Sequence, residues 1–249
     1  FIMHLPFESE EALQLSENIL ETIYHGCMEA SHELAVKYGS YQSFVGSPLS
    51  KGLFQFDLWN KKQSDRYDWS SLRQSIIKDG VRNSLTTALM PTATTSQILG
   101  NIECFEPITS NLYSRLTLAG NFVILNKYLQ QDLIKLNLWN ESIIQQITLN
   151  YGSVQNISSI PKELKDVYKT VWEIKQKAVI DHALKRGPYV DQSQSMNLYF
   201  ATPDPLKLRN ALFYGWRNGL KTGMYYLRSQ PAANAQQTIN KKDCLMCSS

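Results

Sequence analysis

Apolar residues recur every three or four positions in several long stretches, and short charge-free apolar runs lie between them. In residues 8–38 the repeat places Ala12, Leu15, Ile19, Ile23, Cys27, Ala30 and Leu34 on one face. That period predicts a long amphipathic helix, with Ser9 as N-cap and Gly39 past its end. Residues 69–78 predict a second helix, opened by Asp68 and followed by Gly80. Residues 129–138, 142–151 and 206–219 predict three more. Residues 161–185 read as one helix with Pro161 in the first turn and Gly187 past the end. Its apolar face is Leu164, Val167, Val171, Ile174, Ala178 and Ala183. Strands are expected at 1–5, 85–90, 122–125, 189–200 (broken by the polar run 191–195) and 222–227, while 101–120 reads as irregular. Helices alternating with short apolar strands argue for an α/β fold of parallel units. Residues 231–242 are polar and rich in Ala, Gln and Asn, and read as part of a mobile tail.

The stretch 85–100 organises the chain. Residues 85–90 are apolar and uncharged, as in a strand buried on both faces, and Pro91 stops any ladder. Thr92, Ala93, Thr94, Thr95 and Ser96 then form a small, hydroxyl-rich turn, with residues 97–99 as the expected first turn of a helix. Free N–H groups at such a turn attract an anion of phosphate size at the carboxyl end of a strand. The plain alternative is a helix cap with no ligand.

Composition narrows the partners. With 43% hydrophobic and 19% charged residues, 249 residues suffice for a packed core. A net charge of +3 is too small to argue for nucleic acid or an anionic membrane. No apolar run approaches the roughly 18 residues that span a bilayer, and no signal peptide is visible. Four cysteines are too few for a disulfide scaffold, which suits a reducing cytosol and a cytoplasmic protein. Cys27 and Cys104 read as structural thiols. His25 and His32, seven residues apart, are too far apart for a helical metal pair and read as surface or packing residues. Phe54, Phe56, Trp59 and Tyr67 read as satellite core rather than as a base-stacking platform. The chain opens at Phe1, without an initiator Met and inside an expected strand, and reads as a fragment lacking an N-terminal portion.

Two local motifs carry chemistry of their own. Tyr225 and Tyr226 are adjacent, and alternation in a strand sends neighbours to opposite faces as core and rim. Cys244-Leu245-Met246-Cys247 is a C-x-x-C whose spacing allows an exchangeable disulfide. Half a zinc site is the other reading of that motif, but no second pair completes it, and an incidental pair of tail thiols remains.

A resemblance joins these pieces. The run Met90-Pro91-Thr92-Ala93-Thr94-Thr95-Ser96-Gln97-Ile98-Leu99-Gly100-Asn101 resembles the substrate-phosphate loop of class I ribonucleotide reductase large (catalytic) subunits of the eukaryotic type. The match continues in Glu106-Pro107-Ile108-Thr109-Ser110-Asn111 and Asp191-Gln192-Ser193-Gln194-Ser195-Met196-Asn197. It ends in Phe213-Tyr214-Gly215-Trp216, in Gly219-Leu220-Lys221-Thr222-Gly223-Met224-Tyr225-Tyr226-Leu227-Arg228, and in the C-x-x-C.

The resemblance implies the later part of a ten-stranded α/β barrel over 1–230 and a flexible redox tail over 231–249. It implies that Thr92, Ala93, Thr94 and Thr95 contact the diphosphate of a ribonucleoside diphosphate, with Thr94 where the family often has Ser. It implies that Tyr225 and Tyr226 are stacked and relay a radical. Cys244 and Cys247 would shuttle reducing equivalents from thioredoxin or glutaredoxin. No cofactor or metal is expected in this fragment. A small subunit would supply a metal-linked radical, ATP and dNTP effectors would bind upstream of Phe1, and the full large subunit would be a homodimer. The family's Asn-x-Cys-x-Glu radical loop, its active-site cysteine pair and its ATP cone are not in these residues, and the isolated chain is expected to be inactive and poorly stable. The other function class is a non-catalytic phosphate-binding or interaction module of the same fold.

Overall fold

Ser9 opens the longest element. Its hydroxyl accepts the Ala12 N–H at 3.1 Å, and α1 runs over Glu10–Tyr38 to Gly39, where φ is 80°. The structure is a computed structural model and describes residues 1–118 and 120–230. Its buried α1 face is not the expected one. Leu20, Tyr24, Met28, Ser31 and Ala35 turn inward, while Ile19, Ile23 and Leu34 are exposed. Polar burial rotates the helix. Glu21 accepts the Ser64 hydroxyl and the Trp69 indole N–H (3.2 Å), and Glu17 pairs with Lys61 (2.8 Å) and Lys185 (3.4 Å). A paired carboxylate is tolerated inside, and apolar periodicity cannot register it. Ala12, Leu15 and Ile19 instead line an open cavity of about 790 Å³.

Two helices complete this first core. The short α2 (Gln55–Leu58) follows a one-turn 3-10 helix, Leu49–Lys51, and α3 spans Trp69–Asp79. Asp68 caps α3 as expected, accepting the Ser71 N–H at 2.9 Å. Phe54, Phe56 and Trp69 are buried in edge-to-face contacts beside Tyr24, so these aromatics are core. Arg73 lies over the Phe54 ring, donates to the Gly52 carbonyl and pairs with Asp57 at 2.8 Å. His25 stacks on Tyr67 at 4.3 Å, and His32 Nδ1 lies 3.1 Å from the Gly80 carbonyl; both are packing residues.

The second core opens with a strand where the sequence was read as irregular and is filled by helices from stretches expected to be helical. After the one-turn α4 (Thr95–Ile98), β1 (Leu112–Thr117) pairs antiparallel with β2 (Gly120–Leu125), with Leu112 opposite Leu125. Helices α5 (Lys127–Lys135), α6 (Glu141–Leu149) and α7 (Lys162–Val167) pack Leu129, Leu133, Ile143, Ile147 and Val167 together. Asn111, fully buried, pins the entrance to β1 by donating to the Gly152 and Tyr168 carbonyls. That bond helps to break the helix expected over 161–185. Tyr168 ends α7, Val171 N–H donates to the Ile108 carbonyl, and the Glu173 side chain accepts the Thr170 N–H before α8 starts at Gln176–Arg186.

The remaining elements are a 3-10 turn at Gly187–Tyr189, β3 (Leu198–Tyr199), α9 (Pro205–Arg217) and β4 (Leu227–Arg228). The six-membered ring of the Trp59 indole lies against Gly187 so closely that a Cβ there would sit 2.3 Å from it.

Several strand expectations shrink. Residues 1–5 form turns, with Phe1 stacked on Tyr168 at 5.2 Å. Residues 85–90 make one parallel bridge, Leu89 to Gln194, and Leu85 and Met90 are exposed. Ala88 is exposed as well and Thr87 is buried, so the segment is not buried on both faces. Residues 189–200 and 222–227 reduce to β3 and β4, which pair in parallel with Leu198 opposite Leu227. A shared arrangement survives. The Gln192 and Ser195 N–H groups donate to the carbonyls of Thr87 and Leu89, and those of Leu198 and Phe200 to Tyr226 and Arg228. The middle segment, 192–200, is thus bonded first to 87–89 and then to 226–228, and every pairing is parallel.

Candidate functional site

The hydroxyl-rich turn stands at the carboxyl end of the first of these extended segments. Thr92 N–H donates to the Glu103 carbonyl at 3.0 Å, which closes the loop 92–103 at its neck. The Thr92 carbonyl accepts both the Ser96 N–H (3.0 Å) and the Ser96 hydroxyl (2.5 Å). Thr92, Ala93, Thr94 and Thr95 are all exposed. The helix starts at Thr95, two residues earlier than expected, so the turn itself enters α4. No lysine or arginine is bonded to this turn among the described residues, so its capacity for an anion lies in N–H groups and hydroxyls.

Tyr225 and Tyr226 lie just before β4, bonded to the middle segment: Tyr225 N–H donates to the Met196 carbonyl at 2.6 Å, and the Tyr226 carbonyl accepts the Leu198 N–H at 2.9 Å. Their ring centroids are 4.3 Å apart with planes at 64°, an edge-to-face contact rather than the stack that the resemblance implied. Because the pair precedes the regular strand, alternation does not part the rings. Each tyrosine is about half exposed, at 52% and 51%. A hydrogen bond with Tyr226 holds the Tyr225 phenol above its ordinary range. The Arg228 guanidinium lies 5.3 Å from the Tyr226 ring centroid.

Beneath these segments is a buried polar cluster. Asn197 donates its N–H (2.9 Å) and Nδ2 (3.2 Å) to the two oxygens of Glu106, and Nδ2 also approaches Cys104 Sγ at 3.4 Å. A carboxylate only accepts, so the amide nitrogen must face it, and Asn197 Oδ1 is left buried without a partner. Burial, then Glu106 and Glu103, push the Cys104 thiol up to about 11, which fits a structural thiol rather than a reagent. Arg186 is buried, lies 4.5 Å from the Phe105 ring centroid and donates from Nε to Gln194 Oε1 at 3.2 Å. Burial lowers its guanidinium to about 10, and Glu106 opposes the drop. Asp191, half-buried, stands outside this cluster, its carboxylate holding Thr86 and Thr87.

Sequence reasoning named the turn and the tyrosines but assigned no part to Glu106, Asp191, Asn197 or Lys221. All four stand inside the motif blocks, and that was their only signal. Cys244 and Cys247 lie outside the described residues. Among the described residues no group of three or more His, Cys, Asp or Glu is placed to hold a metal ion, and no helix is long and apolar enough to cross a membrane.

Fold and site together define a mixed α/β protein with a hydroxyl-rich turn at the carboxyl end of a parallel extended segment. The family model described as "Ribonucleotide reductase, barrel domain" matches residues 1–226, and the chain belongs to that family. Among its relatives, the ribonucleoside-diphosphate reductase large chain 2 of Saccharomyces cerevisiae is 55% identical over 242 residues, covering 97% of this chain and 28% of the relative. The ribonucleoside-diphosphate reductase large subunit of Dictyostelium discoideum is 55% identical over 236 residues, covering 94% and 27%. Among solved structures, the class Id ribonucleotide reductase alpha subunit of Actinobacillus ureae superposes with a TM-score of 0.69 at 28% identity, covering 95% of this chain and 38% of that one. The chain therefore spans under a third of the length of these curated relatives.

Proposed function

We propose that this chain is the substrate-phosphate and radical-relay part of a ribonucleoside-diphosphate reductase large subunit. The whole protein would reduce ribonucleoside diphosphates to 2′-deoxyribonucleoside diphosphates for DNA synthesis. One observation carries the reading: the hydroxyl turn and the tyrosine pair, 130 positions apart in sequence, hang on two segments bonded to the same middle segment. Thr92, Ala93, Thr94 and Thr95 would hold the diphosphate through N–H groups and hydroxyls. Tyr225 and Tyr226, in ring contact, would pass an electron and a proton together. Each phenol O–H is broken as the radical arrives and re-formed as it leaves.

The radical would come from a metal-bearing small subunit. The half-exposed tyrosines suit a path that starts at a protein surface. Cys244 and Cys247 would return electrons from thioredoxin or glutaredoxin, with residues 231–249 as the carrying tail and 1–230 as the incomplete catalytic domain. The homodimeric state, the ATP and dNTP effector sites and a cytoplasmic location follow from the same reading.

The test is conversion of labelled cytidine diphosphate by the full-length large subunit with its small subunit and a dithiol. Tyr225→Phe keeps the ring and removes the O–H; wild-type turnover beside a dead variant supports the reading. Turnover in both removes Tyr225 from the relay. Diphosphate binding without turnover in either favours a phosphate-binding module.

A further inference from the structure

One residue touches both halves of the site. Asp191 Oδ2 accepts the Thr86 N–H at 2.5 Å, the Thr86 hydroxyl at 2.9 Å and the Thr87 N–H at 3.2 Å. Its own N–H donates back to Thr87 Oγ1 at 2.8 Å. This ties down the segment that ends in the hydroxyl turn, five positions before Thr92. The backbone carbonyl of the same Asp191 accepts from Lys221 Nζ at 2.7 Å. Lys221 spends its other two N–H groups on the Val190 carbonyl (2.8 Å) and Gln55 Oε1 (2.9 Å), and it stands four positions before Tyr225.

An ammonium has three N–H groups, and here all three are engaged. None of the ion pairs among the described residues involves Lys221; its acceptors are two backbone carbonyls and an amide oxygen. Partial burial lowers the Lys221 ammonium below the ordinary lysine range, and Asp191 opposes the drop. A charge held at that cost on neutral acceptors contributes position, because its three donors tie residues 190–191 and Gln55 to the segment that carries Lys221.

We propose that Asp191 and Lys221 are positioning residues forming one clamp that sets the hydroxyl turn relative to the tyrosine pair. Asp191 acts through Thr86 and Thr87, and Lys221 through the carbonyl of residue 191 itself. The proposal rests on the reading of the turn as substrate site and the pair as relay.

The test uses the full-length large subunit with its small subunit, labelled cytidine diphosphate and a dithiol, and measures kcat alongside the Kd of the diphosphate. Lys221→Gln frees the tyrosine end, so kcat falls about tenfold or more while Kd moves less than about twofold. Asp191→Ala removes the oxygen that accepts all three bonds and frees the turn, so Kd rises about tenfold. The double variant costs less than the product of the two, because both cut one link. Lys221→Arg, which keeps charge and donors, recovers part of kcat.

The clamp is overturned if both single variants change kcat and Kd by the same factor in step with a fall in thermal midpoint, since that pattern is plain support of the fold. It is equally overturned if neither parameter moves. Tyr226→Phe is run beside them. Full turnover in that variant sinks the relay reading itself, whereas a dead Tyr226→Phe beside an unaffected Lys221→Gln sinks only the clamp.

Discussion

The core around Trp69 and the site around the hydroxyl turn are built by different physics. In the core, Trp69, Tyr24, Phe54 and Phe56 are almost wholly withdrawn from water, and Trp69 meets Phe54 and Phe56 edge to face. Apolar burial there is large and undirected. In the site, Thr92, Ala93, Thr94, Thr95, Tyr225 and Tyr226 all face solvent, and their segments are held by directed bonds to Asp191, Lys221 and the Glu103 carbonyl. The difference teaches that stability and chemistry are carried by separate residues. On the proposed reading the site admits a ligand and a partner and so cannot be buried, and its precision comes from hydrogen bonds arriving from behind.

The contrast is broken most directly in the core. Trp69→Ala removes the hub of five aromatic contacts and the donor to the buried Glu21 carboxylate, and should cost about 3–5 kcal/mol in a urea titration. A loss under 1 kcal/mol would deny that this cluster is the main support.

Next in size is a pH effect. His182 is buried, stacks on Phe7 at 4.0 Å and donates from Nε2 to the Phe7 carbonyl at 2.8 Å. Burial lowers its imidazole from the ordinary 6.5 to about 4, and the Phe7 carbonyl opposes the drop. The unfolded chain then binds the extra proton first, so stability is intact above pH 6.5 and is lost as pH falls toward 4, by roughly 3 kcal/mol over the whole window. His182→Gln, which keeps a donor for Phe7, should flatten that part of the stability profile; an unchanged slope assigns the effect elsewhere.

Smaller still is Ser9→Ala, which strips the α1 cap and should cost about 1 kcal/mol. At the far end, Tyr226→Phe should leave the unfolding midpoint where it is while abolishing turnover of the full-length protein. A shifted midpoint would erase the division drawn between core and site.

How much of this was legible in the sequence depended on distance along the chain. Ser9 and Asp68 cap helices as expected because a cap answers to neighbours three residues away. The Thr92–Ser96 turn was visible for the same reason. The buried face of α1 was misread because Glu17 and Glu21 go inside, and their partners Lys61, Lys185, Ser64 and Trp69 lie far along the chain. The helix expected over 161–185 breaks because Asn111 and Ile108 capture the backbone at Tyr168 and Val171. Tyr225 and Tyr226 were singled out by resemblance, since residue type alone read as packing. The bonds of Asp191 to Thr86 and of Asn197 to Glu106 join positions 105 and 91 residues apart, and no local pattern announces them.

The contact between Gly187 and Trp59 reaches into heredity. Every amino acid that can replace glycine carries a Cβ, and at this position that atom would fall 2.3 Å from the indole. Each missense change of that codon, however mild the new side chain, must therefore push aside the wall behind the turn that leads into Asp191. The gene holds at this codon a place with no conservative spelling.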